Sequence, residues 1–171
     1  GTGAMIGLQS QTVMVSGQAV DYLLYVPPQY DPAQSWPVLF VFHGQGGTNM
    51  NTINNWMAIA DTNGIVIGAT MSSGSSGGWV PGTDSGVFQA ALMDAESQVN
   101  INTKRRYMWG FSAGGHFVHS LGLANSTFFA AYAVSAGVVQ QGYTVTRQIP
   151  VSIHIGDQDP LLPGVQQDRT E

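Results

Sequence analysis

Apolar positions recur along this chain in two rhythms, short β-type runs and longer stretches near helical spacing, and the two alternate. Thr12–Val15 and Val20–Val26 carry the first β-type runs, closed by Pro27-Pro28 and a turn-rich stretch to Trp36. Pro37–Phe42 is apolar without a break, as a strand buried on both faces requires. It runs into His43-Gly44-Gln45-Gly46-Gly47, a loop whose backbone needs the freedom of glycine. Ile53–Asp61 predicts a short helix, Ile65–Thr70 the next strand, and Ser72–Gly78 a Gly/Ser-rich loop ending at Trp79. Val87–Val99 returns to helical spacing, Arg106–Phe111 reads as a strand and Ala113–Leu123 as a helix. Ala130–Ser135 and Pro150–Ile155 are the last two predicted strands.

Strands alternating with helices predict an α/β domain, a mostly parallel sheet with helices on both faces. No repeat and no linker interrupts the 171 residues, so 1–171 reads as one domain large enough for a real core. The ending is unusual. Gly164–Arg169 reads as the first turns of a helix, and a closing helix and strand are absent from the pattern. Pro150–Ile155 would then be an unpaired edge with apolar surface exposed, which predicts a C-terminally truncated domain of a longer polypeptide.

Composition narrows the function classes. Charged residues make up 9% of the chain, against about 25% in an average soluble protein. Polarity comes from Gly, Ser, Thr, Asn and Gln instead, which leans toward a secreted protein. With no cysteine, disulfides and thiolate metal sites are excluded. A net charge of −5 with scattered basic residues gives no footprint for nucleic acid. No apolar run approaches the roughly 18 residues of a membrane span. Gly1-Thr2-Gly3-Ala4-Met5 has the look of a cloning remnant or a trimmed start rather than a secretory leader. Oligomeric state leaves no mark in the sequence.

The chemistry centres on Ser112. Residues 107–115 read Tyr-Met-Trp-Gly-Phe-Ser-Ala-Gly-Gly, an apolar strand entering Gly-x-Ser-x-Gly with a helix behind it. That is the nucleophile elbow of α/β-hydrolases, a sharp strand-to-helix turn that lifts one hydroxyl out of the sheet. A serine hydroxyl needs a base and a place for the developing oxyanion. The Ala113 amide at the helix start supplies half of that place, and the Gln45 amide, just after the third strand, the other half. The base is harder to find. In this fold the histidine follows both nucleophile and acid, and no histidine follows His154.

His43 precedes the nucleophile. It is read as shaping its own loop at the edge of the substrate pocket, with a part as base left open because geometry defines a triad. His116 and His119 lie on the helix after the elbow and are assigned to packing or surface. His154 is assigned to a buried strand. Asp157 and Asp159 follow the last strand, and either acid could orient a histidine. Together with His154 they lack the spacing of a metal site, so neither metal nor cofactor is called for. Trp79 and Asp84 flank a loop over the strand ends, where ligands bind in open α/β sheets. Trp79 fits two descriptions equally, a wall of the substrate pocket or an anchor of its own loop.

With these residues in place the chain resembles secreted esterases of the polyhydroxybutyrate-depolymerase and feruloyl-esterase type, a branch of the α/β-hydrolases. The resemblance runs through Tyr25-Val26-Pro27, His43–Thr48 and Thr83-Asp84-Ser85-Gly86-Val87-Phe88. It continues through Arg105–His116 and ends in Ile149–Pro163. It implies an α/β-hydrolase fold, Ser112 as nucleophile, and the amides of Ala113 and Gln45 as oxyanion donors. The family's acid motif, Gly-x-x-Asp-x-x-Val-Pro, falls on Gly156, Asp159, Leu162 and Pro163 and so implies Asp159 as the acid. The implied substrates are short-chain or hydroxycinnamoyl esters, as small molecules or linked to polysaccharide. The alternative is a non-catalytic binding module or inactive fragment of the same fold, lacking the histidine.

Overall fold

The computed structural model describes residues 5–168; the opening Gly1–Ala4 and the predicted helical residue Arg169 lie outside the described residues. One sheet of seven strands organises them. β1 (Gly7–Val15) and β2 (Gln18–Val26) form an antiparallel hairpin, and β2 pairs antiparallel with β4 (Val66–Thr70). From β4 the sheet is parallel, through β3 (Trp36–Phe42), β5 (Ile101–Phe111), β6 (Ala131–Ser135) and β7 (Val151–His154). The order across the sheet is β1-β2-β4-β3-β5-β6-β7.

Four helices complete the described residues: α1 (Asn49–Asn63), α2 (Pro81–Gln98), α3 (Ala113–Ala124) and α4 (Leu162–Asp168). The period-2 geometry of the central strands divides the core in two. Tyr22, Leu24, Val26, Val38, Phe40 and Phe42 face one way, toward Phe88 of α2 and Phe117 of α3. Leu23, Tyr25, Leu39 and Val41 face the other way, toward Ile53 and Ala60 of α1. An uninterrupted apolar run such as 37–42 is what two covered faces demand.

Each predicted element is present, and the differences lie at the ends. α1 starts earlier because the Thr48 side chain accepts from the Asn51 amide (3.1 Å), and it stops at Gly64, whose φ of 64° suits the left-handed C-cap. α2 begins at Pro81, six residues before the predicted Val87, and takes in Asp84, which was expected beside a loop. Proline at the first helical position has the right φ and needs no donor. β5 starts at Ile101, extended by a bulged pairing with Trp36.

β7 corrects one expectation. His154 is exposed rather than buried, and its Nε2 lies 2.8 Å from the Ser152 hydroxyl two residues away on the same strand face. Among the described residues β7 is a sheet edge, with Val151 39% exposed.

Candidate active site

The end of β5 turns into α3 at a single residue. Ser112 has φ 52° and ψ −117°, a combination that side-chain-bearing residues enter at a cost of about 1–3 kcal/mol. Its amide donates to the Ser135 carbonyl at the end of β6 (2.8 Å), which ties the turn to the neighbouring strand. The flanking glycines are required by contact. A Cβ on Gly110 would stand 2.2 Å from the Gly114 carbonyl oxygen, and one on Gly114 2.3 Å from the Phe42 oxygen. The turn therefore exists only because three chain segments meet with no side chain between them.

Two amides near the turn are available. The Ala113 amide opens α3 and has no intrahelical acceptor, since the first helical bond runs from His116 N–H to the Ser112 carbonyl (3.0 Å). In the loop after β3, Gly46 N–H donates to Gly77 (3.2 Å) and Gly47 N–H to Gly44 (2.9 Å), whereas the Gln45 amide makes no hydrogen bond among the described residues. Gln45, Trp79, Ser112, Ala113, His116 and Gln140 line one cleft of about 360 Å³.

Trp79 meets both descriptions offered for it. Its indole N–H donates to the His43 carbonyl (2.8 Å) and its ring stacks on Phe117 at 4.8 Å and 10°. The same ring walls the cleft. Asp84 is fully buried, with its carboxylate accepting from the Val80 amide (2.7 Å) and the Ser73 amide (3.1 Å). It fastens the loop 71–80, and hence Trp79, to the start of α2.

His43 is placed differently from the pocket position expected of it. It is buried behind Trp79, outside the residues that line the cleft. Its Nδ1 donates to the Gly44 carbonyl (2.7 Å), and its Nε2 accepts from the Ser72 amide (3.3 Å). With both ring nitrogens engaged in one neutral tautomer, the ring joins two loops and has no free lone pair for Ser112.

Asp159 sits half-buried in the turn before α4. One of its carboxylate oxygens accepts from the Leu161 amide (2.9 Å), and it is not among the residues lining the cleft. Asp157 is exposed. The Ser112 hydroxyl makes no hydrogen bond to a histidine among the described residues. Nor do three or more His, Asp or Glu side chains converge there as a metal site would need. No helix among them is long and apolar enough to cross a membrane.

Three polar residues of the cleft were not assigned to the site by the sequence reading. His116 was assigned to packing, Ser120 lies one turn further along α3, and Gln140 belongs to the loop after β6. The one available signal was spacing, since His116 follows Ser112 by four residues on one helix face. Nothing local marks Gln140, which the crossover after β6 brings in.

The sheet order and the sharp turn at Ser112 between β5 and α3 are those of the α/β-hydrolase fold. No family model matches the chain. In sequence it is similar to a probable feruloyl esterase C from Aspergillus oryzae, 30% identical over 154 residues that cover 84% of this chain and 56% of that protein. Feruloyl esterase C from Emericella nidulans is 28% identical over 174 residues, covering 95% of this chain and 63% of that protein. In fold it is similar to a poly(3-hydroxybutyrate) depolymerase from Bordetella parapertussis, with a TM-score of 0.71 and 20% identity. That likeness covers 93% of this chain and 69% of the other. The chain spans 56% to 63% of the length of these two curated relatives.

Proposed function

We propose that the protein hydrolyses carboxylic esters through an acyl-enzyme on Ser112. The Ser112 oxygen attacks the ester carbonyl carbon, and the carbonyl oxygen becomes an oxyanion held by the Ala113 and Gln45 amides. The carbon–oxygen bond to the alcohol breaks and the alcohol leaves with a proton. Water then attacks the acyl-serine, releasing the acid and restoring the hydroxyl. The proton passes through a histidine oriented by Asp159 and supplied by polypeptide outside the described residues. The observation that carries this assignment is the convergence of a strained serine and two unpaired amides on one cleft. Such donors are worth about 10²–10³ each in turnover.

The esterase names of the sequence relatives support the same chemistry, with hydroxycinnamoyl or short acyl groups as the acids released. The low charge content fits a secreted enzyme working on esters outside the cell. A non-catalytic binding role is the second reading, favoured by the lack of a histidine bonded to Ser112 among the described residues.

Hydrolysis of p-nitrophenyl acetate by the protein and by Ser112→Ala separates the two. Turnover that falls to background in the variant is expected. Equal rates in both proteins overturn the esterase assignment.

A further inference from the structure

His116 of α3 stands one helical turn past Ser112, about 6 Å along the axis, and both residues line the cleft with Trp79 and Phe117. Side chains on a helix lean toward its N-terminus, so the His116 ring is carried back toward the serine. The ring is half-buried and fixed at one nitrogen. Nδ1 lies 3.0 Å from the Val138 amide nitrogen and 2.8 Å from the Val138 carbonyl oxygen. Nε2 makes no hydrogen bond among the described residues.

Where the ring hydrogen sits decides what Nε2 offers. With one hydrogen on the ring, Nδ1 either accepts from the Val138 amide or donates to the Val138 carbonyl. The amide has no other acceptor among the described residues, and an orphaned N–H is rarer than an under-satisfied carbonyl. Nδ1 therefore accepts, and the hydrogen is on Nε2. A doubly protonated ring would donate to the carbonyl and still carry a hydrogen on Nε2. Either way His116 brings an N–H donor to the cleft. No Asp or Glu lines the cleft to orient this ring as a base.

We propose that His116 is a specificity-determining residue, whose Nε2–H donates to an ether or hydroxyl oxygen of the substrate close to the scissile ester. The proposal rests on the esterase assignment and concerns the same site. Its physical ground is an asymmetry. Trp79 and Phe117 give the cleft apolar walls, so an entering substrate displaces the water on Nε2–H. A hydrocarbon chain in that place leaves the donor buried and unpaired, whereas an oxygen pairs it. The Val138 clamp holds the donor in position before substrate arrives, so little ordering remains to be done on binding.

The test gives the full polypeptide two pairs of esters in which an oxygen replaces a methylene. p-Nitrophenyl methoxyacetate against p-nitrophenyl butanoate puts that oxygen on the acyl side. 2-Methoxyethyl acetate against butyl acetate puts it on the alcohol side. The ratio of kcat/KM, ether over hydrocarbon, is compared between wild type and variants, so intrinsic reactivity cancels. His116→Asn keeps an acceptor for the Val138 amide and has no group at the Nε2 position. His116→Gln keeps an N–H near that position and gives up the clamp. In His116→Asn the ratio should fall about tenfold for at least one pair, which identifies the side, and in His116→Gln it should fall less. Both ratios unmoved in His116→Asn overturn the proposal and leave the esterase intact, since a merely structural His116 changes all the rates together. A fall as large in His116→Gln assigns the effect to the clamp and also overturns it.

If the wild type cleaves none of these esters, the esterase assignment fails by itself, and nitrogen NMR of the His116 ring decides the donor. The ring hydrogen should appear on Nε2, and its signal should shift on adding N-methylmethoxyacetamide but not N-methylbutanamide. A hydrogen on Nδ1 alone, or an equal response to the two amides, overturns the proposal.

Discussion

Gly114 of α3 lies against the carbonyl of Phe42 at the end of β3, so close that a Cβ would stand 2.3 Å from that oxygen and 2.6 Å from the His43 oxygen. α3 and the loop with Gln45 are thus held together by backbone contact. Gly114→Ala must push α3 off the strand ends. It should lower stability by about 1–3 kcal/mol and move Ala113 away from Gln45. A fall in the melting temperature together with lost turnover is the expected pair; a variant as stable and active as the wild type would show that the contact is soft.

Trp79 links loop order to the cleft wall. Trp79→Phe keeps a ring against Phe117 but removes the N–H that satisfies the His43 carbonyl, at a cost of about 1–2 kcal/mol. Trp79→Ala removes the stack as well and should cost about 3 kcal/mol. Denaturant midpoints for the two variants should follow that order, with KM for an ester substrate rising most in Trp79→Ala.

Asp84 buries a carboxylate whose partners are backbone amides of the loop 71–80. Asp84→Asn can present an NH₂ to an N–H where an oxygen accepted before, so a loss of about 2 kcal/mol is expected. The helix start also favours the negative charge that this variant removes. Thermal unfolding measures the loss, and Trp79 fluorescence should report a more solvated ring.

His119 makes stability depend on pH. Burial lowers its pKa from 6.5 to about 4; Asp168 and the Gly137 carbonyl oppose the shift and His116 adds to it. The folded pKa lies below the unfolded one, so the unfolded chain takes up the proton first. Its contribution, about 3 kcal/mol, is complete above pH 6.5 and is lost as pH falls toward 4. Urea midpoints between pH 7.5 and 4.5 should fall more steeply for the wild type than for His119→Gln. Parallel curves would assign the acid loss to other groups.

The elements were legible because the signals that specify them are local. Period-2 and helical patterning and the Gly-x-Ser-x-Gly spacing each act within a few residues, and they located seven strands, four helices and the elbow. Element ends were less legible. The start of α2 depends on Asp84 reaching amides eleven and four residues back, a contact that spacing alone does not reveal.

Ser112, Ala113 and Gln45 could be named from sequence because an elbow and a post-strand glycine loop are both backbone devices. Only the tertiary structure decided that His43 is sealed behind Trp79 with both nitrogens engaged, and that His154 stands on an exposed edge. It alone set Gln140 beside His116 and Ser120. Hydrophobic periodicity says which face of an element turns inward; which polar side chains meet there depends on crossovers and loop paths that bring residues tens of positions apart into contact.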